Sequence, residues 1–189
     1  TTDPRPAAYP GGTRLTLSGE SPRTAAATFL PWVLQDMLRR DLRENAGGAY
    51  APWSSYEPVD REATVVLAGT DVADSLLPSV VHWVRSGLTT MRSRGILDGV
   101  VEDAVASALA GMRDPYAVVG FAERAASQHL HGLPVQEPEE VLEEVAGVTR
   151  AAVEALLPGF GDTLLLGVPA SAAWNEEYPV LRMPVHADP

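Results

Sequence analysis

The chain has 189 residues, 46% of them hydrophobic and 21% charged, which fits one globular domain with a sizeable core or two small ones and argues against wholesale disorder. Its formal net charge of -11 disfavours nucleic acid and the anionic membrane surface as partners, and suits solubility or attraction for basic peptides. It has no cysteine, so disulfides, iron–sulfur clusters, thiolate zinc sites and cysteine nucleophiles are all excluded, and every cation is arginine. No apolar run reaches the ~18 residues of a spanning helix, and a cytoplasmic location is the expectation.

Residues 1–12, rich in Pro and Gly, read as a flexible N-terminal tail. Thr13–Ser18 alternates apolar and polar residues, the period of a half-buried strand. Ser21-Pro22 has the form of a helix start, with Ser as N-cap and Pro at the first helical position. The helix that follows carries Leu30, Leu34, Leu38 and Leu42 on one seam, with Val33 and Met37 beside it, and Pro31 is expected to kink or split it. It ends near Asn45, where Gly47 or Gly48 supplies a left-handed turn. Ala49–Tyr56 and Ala63–Gly69 form a hairpin across Glu57–Glu62, with Pro52 implying an edge or a bulge in the first strand.

A long helix is expected from Asp71 to about Arg94, with Arg92 and Arg94 suiting its negative end and Gly95 closing it. Leu97–Arg113 is a second helix, and Asp114-Pro115 starts a third running to about His131. Pro138–Ala146 and Thr149–Leu157 are two short ones, Gly159-Phe160-Gly161 is a helix stop, and Thr163–Val168 is a last apolar strand. Residues 169–189 read as an irregular C-terminal extension, with Val180–Val185 extended. Strand, helix, two strands, several helices and a strand make an α+β domain over residues 13–168: a small sheet with helices packed on one face.

Metal and nucleophile motifs are missing. His129 and His131 stand two apart and diverge on a helix, and neither H-E-x-x-H nor H-x-x-E-H occurs. There is no G-x-S-x-G elbow and no Walker loop. The carboxylates Glu137, Glu139, Glu140, Glu143 and Glu144 suit a solvated helix N-terminus.

One stretch carries chemistry. In L-R-E-N-A-G-G-A-Y, a glycine turn separates Arg43, in a last helical turn, from Tyr50, at the start of a strand. Singly, Arg43 caps carbonyls and Tyr50 packs as a half-buried core residue. Together they are two donors that could converge on a peptide carbonyl and stabilise the oxyanion formed when water attacks it. Neither is a base near neutral pH, so the water must be activated by a metal or base from elsewhere.

This motif, followed by S-S-Y-E-P, resembles the second, non-zinc half of the M16 (insulinase/pitrilysin) metallopeptidases. The segments A-T-V-V-L-A-G-T-D, R-S-R-G-I-L-D-G-V-V-E-D-A and E-P-E-E-V-L-E-E-V-A-G-V-T-R-A-A-V-E-A-L are similar to the family in the same order, so the likeness runs from about Thr13 to Val168. It implies one of two similar α+β halves around a closed chamber, with Arg43 and Tyr50 as catalytic residues and Gly47, Gly48, Ser54 and Tyr56 as substrate-binding ones. Zinc is expected in a partner half, either in the same polypeptide or on a separate subunit, and not in this chain. A peptide is the implied substrate; the alternative is a catalytically silent assembly subunit of the same fold. Self-association is expected, with Trp32, Trp53, Trp83 and Trp174 as candidate contacts, although Trp32 and Trp83 also suit core packing.

Overall fold

A computed structural model describes residues 4–9, 13–46, 51–169 and 181–182. Six strands form one sheet: β1 (Arg5–Tyr9), β2 (Arg14–Pro22), β3 (Trp53–Pro58), β4 (Ala63–Asp71), β5 (Leu165–Pro169) and β6 (Leu181–Arg182). They lie in the order β3-β4-β2-β5-β1-β6. The first four run antiparallel, whereas β1 joins β5 and β6 in parallel. The helices are α1 (Leu30–Ala46), α2 (Leu77–Arg94), α3 (Val100–Met112), α4 (Val118–Leu130), α5 (Pro138–Ala146), α6 (Arg150–Glu154) and α7 (Leu157–Thr163).

Alternation decides which face of the sheet is covered. Leu15, Leu17, Val66, Ala68, Leu166 and Val168 are all buried. Ladder pairs such as Leu17 with Ala68 and with Leu166 put them on one side, where the helices pack. The leucine seam of α1 meets that side: Leu30, Leu34, Leu38 and Leu42 are at most 1% exposed. On the opposite side, Thr16, Ser18, Val65 and Leu67 stay half-buried and Glu20 is exposed. There Trp53 is half-buried, with the Arg14 guanidinium 5.6 Å from its ring centroid. Trp32 is 47% exposed, so it is not a core residue, whereas Trp83 is half-buried against the core. Trp174 lies outside the described residues.

Several boundaries differ from the sequence expectation. Arg5–Tyr9 is no tail but a strand between β5 and β6, stabilised by ladder bonds to residues far along the chain. Ser21-Pro22 does not cap a helix: β2 continues through both, pairing them with Thr64 and Ala63. Pro22 is the last strand residue, where a missing donor disturbs the ladder least. The chain then makes a 3-10 turn, Ala26–Phe29, and α1 begins at Leu30. Pro31 falls in the first turn of α1, where its absent N–H and fixed φ are tolerated, so the helix runs unbroken.

Pro52 precedes β3, whose strand runs two residues past Tyr56. Likewise β4 runs to Asp71, which pairs with Arg14, and the helix expected there starts only at Leu77 after a 3-10 turn. Gly95, at φ 81, closes α2 as expected, and Gly99, at φ 84, precedes α3. Asp114 accepts from the Tyr116 N–H at 2.8 Å and opens the segment leading to α4. The capping box of Glu137 and Glu140 starts α5, and Thr149 caps α6 through the Ala152 N–H.

Residues 157–163 form α7 where a helix stop was expected. Pro158 sits in its first turn, and Phe160, 2% exposed, packs onto β2. The contact is possible because Gly19 faces it: a Cβ there would come within 2.5 Å of the ring. Thr163 Oγ1 accepts from the Glu20 N–H at 2.8 Å and ties the end of α7 to the same strand.

Candidate functional site

Arg43 lies in the last turn of α1, on a backbone directed at the end of the sheet where β3 begins. Its side chain, together with Gly47, Gly48 and Tyr50, lies outside the described residues. What the structure does define is the frame on either side. Ser54 Oγ donates to Gln35 Oε1 at 3.0 Å, and Gln35 Nε2 donates to the Pro52 carbonyl at 2.7 Å. Two hydrogen bonds therefore pin the start of β3 against the first half of α1. Ser54, expected to meet substrate, has its hydroxyl committed to this tie. Gln35 gave no signal in the sequence, because its partners lie 17 and 19 residues further along the chain.

Tyr56 shares the helix-facing side of β3 with Ser54, about 7 Å further along the strand and away from residue 50. Burial raises its phenol pKa, an effect partly offset by a hydrogen bond with Thr64 and by the Arg23 and Arg124 guanidinium groups. It is one wall of a cleft of about 650 Å³ between α3, α4, α5 and the β3–β4 hairpin. This cleft lies near the opposite end of α1 from Arg43, about 20 Å along the helix at 1.5 Å per residue. The structure thus does not bring Tyr56 to the Arg43 end of the domain.

A polar network braces the cleft. Gln128, 6% exposed, donates through Nε2 to Gln136 Oε1 at 2.6 Å and accepts from the Gln136 N–H at 3.1 Å. Arg124 Nη2 reaches Gln136 Oε1 at 2.9 Å and Glu144 Oε2 at 3.0 Å. Arg23 donates to the Asp60 carbonyl at 2.8 Å and to Ser127 Oγ at 3.3 Å, so it bridges the hairpin to α4. The hairpin itself is held by Asp60, whose carboxylate accepts from the Glu62 and Ala63 N–H groups at 2.8 Å each. Those two bonds lower its pKa. Among the described residues no group of three or more His, Asp or Glu could hold a metal, so they offer no zinc site. No described helix is long and apolar enough to cross a membrane.

No protein-family model matches the sequence, and no curated protein matches it either. Solved structures do. The first half of the periplasmic protease PqqL from Escherichia coli matches at a TM-score of 0.64 and 12% identity, over 87% of this chain and 41% of that one. A peptidase M16 inactive domain from Pseudomonas fluorescens matches at 0.61 and 14% identity, over 90% and 44%. The inactive peptidase domain of a proposed zinc protease from Bordetella parapertussis matches at 0.63 and 13% identity, over 87% and 97%. The chain thus spans less than half of the first two structures and nearly all of the third. The structural likeness to these domains over 87–90% of the chain gives this protein, with its mixed sheet and helices on one face, the M16-like peptidase fold.

Proposed function

We propose that the chain is the substrate-binding, oxyanion-stabilising half of a zinc-dependent M16 peptidase. The fold shared with inactive peptidase domains is the observation that carries this reading. The absence of H-x-x-E-H from the sequence and the placement of Arg43 at the end of α1 support it. In this reading the partner half, in the same polypeptide or on a separate subunit, supplies the zinc chemistry that activates water. The Arg43 guanidinium and the Tyr50 hydroxyl orient the scissile carbonyl of a peptide and donate to the oxygen as it gains charge. In this reading Gly47 and Gly48, which the sequence places between the two donors, let the chain turn there. Gln35 acts as a positioning residue, because its bonds to Ser54 and Pro52 fix where the chain enters β3.

The test is reconstitution with the zinc-bearing half, followed by cleavage of a fluorogenic peptide. Tyr50→Phe should lower kcat by about 10²-fold, the usual cost of one oxyanion donor. An unchanged rate for both Tyr50→Phe and Arg43→Ala would remove these residues from the mechanism and leave a catalytically silent assembly subunit. The proposal includes a cytoplasmic location, and fractionation of expressing cells checks it.

A further inference from the structure

The cleft beside Tyr56 is open for a structural reason. Of all the residues of α4, only Gln128 is buried, and that one is held by polar bonds rather than by apolar packing. The helix therefore stands as a wall across a gap instead of filling it. Met112, Phe121, Leu133 and Val141 give the gap an apolar lining, and its volume lies within the range of small-ligand sites.

Three arginines, Arg23, Arg61 and Arg124, also face this gap, in a chain where Asp and Glu outnumber basic residues 25 to 14. They are not there to neutralise a matching set of acids. Arg23 spends its hydrogen bonds on two uncharged oxygens. Arg61 is exposed on the rim and makes no ion pair among the described residues. Arg124 is paired to Glu144 through Nη2, yet its Nε is buried with no hydrogen-bond partner. Of the two lining carboxylates, Glu144 is already shared by Arg124 and Gln136, and Glu123 is exposed to water. Guanidinium groups with donors to spare beside an apolar wall suit a carboxylate joined to an apolar body.

We propose that this cleft binds an apolar-bodied carboxylate, with Arg23 and Arg61 receiving the charge and Phe121, Met112 and Leu133 covering the body. The carboxylate could belong to a free organic acid or to the C-terminal residue of a peptide; the chemistry recognised is the same. The site stands apart from the half-site reading, because it lies near the far end of α1 from Arg43 and needs no residue of a zinc-bearing half.

Calorimetric titration of the full chain tests it. The probes are 3-phenylpropionate, octanoate, an N-acetylated dipeptide ending in Phe, and the corresponding C-terminal amides. The acids should saturate one site, and each amide should bind at least tenfold more weakly. Arg61→Gln, which breaks no ion pair or side-chain hydrogen bond among the described residues, and Phe121→Ala should each weaken binding about tenfold, with an unchanged circular dichroism spectrum. Arg23→Gln should do the same; if it does not fold, Arg61→Gln carries the test. Binding of the simple acids alone identifies a free organic acid as the source, and binding of the dipeptide alone identifies a peptide terminus. Failure of every acid to saturate a site, equal binding of acids and amides, or indifference to both Arg61→Gln and Phe121→Ala would overturn the proposal.

Discussion

Replacing Gly19 by Ala tests whether α7 is seated on the sheet as described. An alanine in a strand is intrinsically better than glycine by roughly 0.5–1 kcal/mol, so an unhindered site would gain stability. Here the added Cβ would lie 2.5, 2.8 and 3.0 Å from Cε2, Cδ2 and Cζ of Phe160. Carbon atoms prefer separations of about 3.5–4.0 Å, so the ring must retreat by about 1 Å. It is 2% exposed and has little room to do so. With so little room the cost falls in the upper half of the ~1–3 kcal/mol range for overpacking, which leaves a net loss of about 1–2.5 kcal/mol. For a domain of this size that lowers Tm by about 2–10 °C. Thermal and urea unfolding measure it directly. The companion variant Phe160→Leu should cost about 1–2 kcal/mol alone. In the double variant the new methyl occupies space the ring has left, so the two losses should fall short of additivity by at least ~0.5 kcal/mol. A neutral or stabilising Gly19→Ala, or strictly additive losses, would refute the packing of α7 against β2.

Three further expectations concern the β3–β4 hairpin and its mooring. Because the Tyr56 pKa is raised above 10.0, the fold favours the neutral phenol. That stabilisation is present below pH 10 and is lost as pH rises through the raised value, so alkaline unfolding should set in earlier for the wild type than for Tyr56→Phe, once each is referred to its own stability at neutral pH. The Asp60 pKa is lowered from 3.8, so its contribution is present above that pH and fades as pH falls below it. Wild type should exceed Asp60→Ala in Tm at neutral pH, and the gap should narrow in acid. Gln35→Ala removes both bonds that hold the start of β3 and should cost about 1–3 kcal/mol in urea unfolding. In a reconstituted peptidase it should also lower kcat more than it raises KM, if Gln35 acts by aiming the segment that carries Tyr50.

The elements whose stability is local were legible in the sequence. The four-residue leucine spacing announced the buried seam of α1, and the acidic start with Pro138 announced α5 with its limits at Pro138 and Ala146. What escaped was held by distant partners. Arg5–Tyr9 contains a proline and little apolar bulk, and only its ladder to Leu165–Pro169 makes it a strand. Residues 157–163 carry Pro158, Gly159 and Gly161, which argue against a helix until Phe160 finds the gap above Gly19. Ser21 looked like a cap because its side chain is polar; the alternation Leu15, Leu17, Gly19, Ser21, all buried, shows that small residues were continuing the covered face of a strand. The M16-like fold was legible from motif order, and the shared architecture bears it out. The cleft was not legible, since Arg23, Arg61 and Arg124 come from three segments with no common pattern.

The place of β5 in the sheet has a consequence for how the protein is made. The strand lies between β2 and β1, both of which leave the ribosome well before it, while β5 itself follows α1 to α7. A nascent chain can close the β2–β4 and β3–β4 ladders early, but β1 must wait with its hydrogen-bonding groups unpaired until residue 169 emerges. Assembly then requires a late strand to slide between two early ones, a long loop closure of the sort that slows folding and leaves edges exposed to other chains.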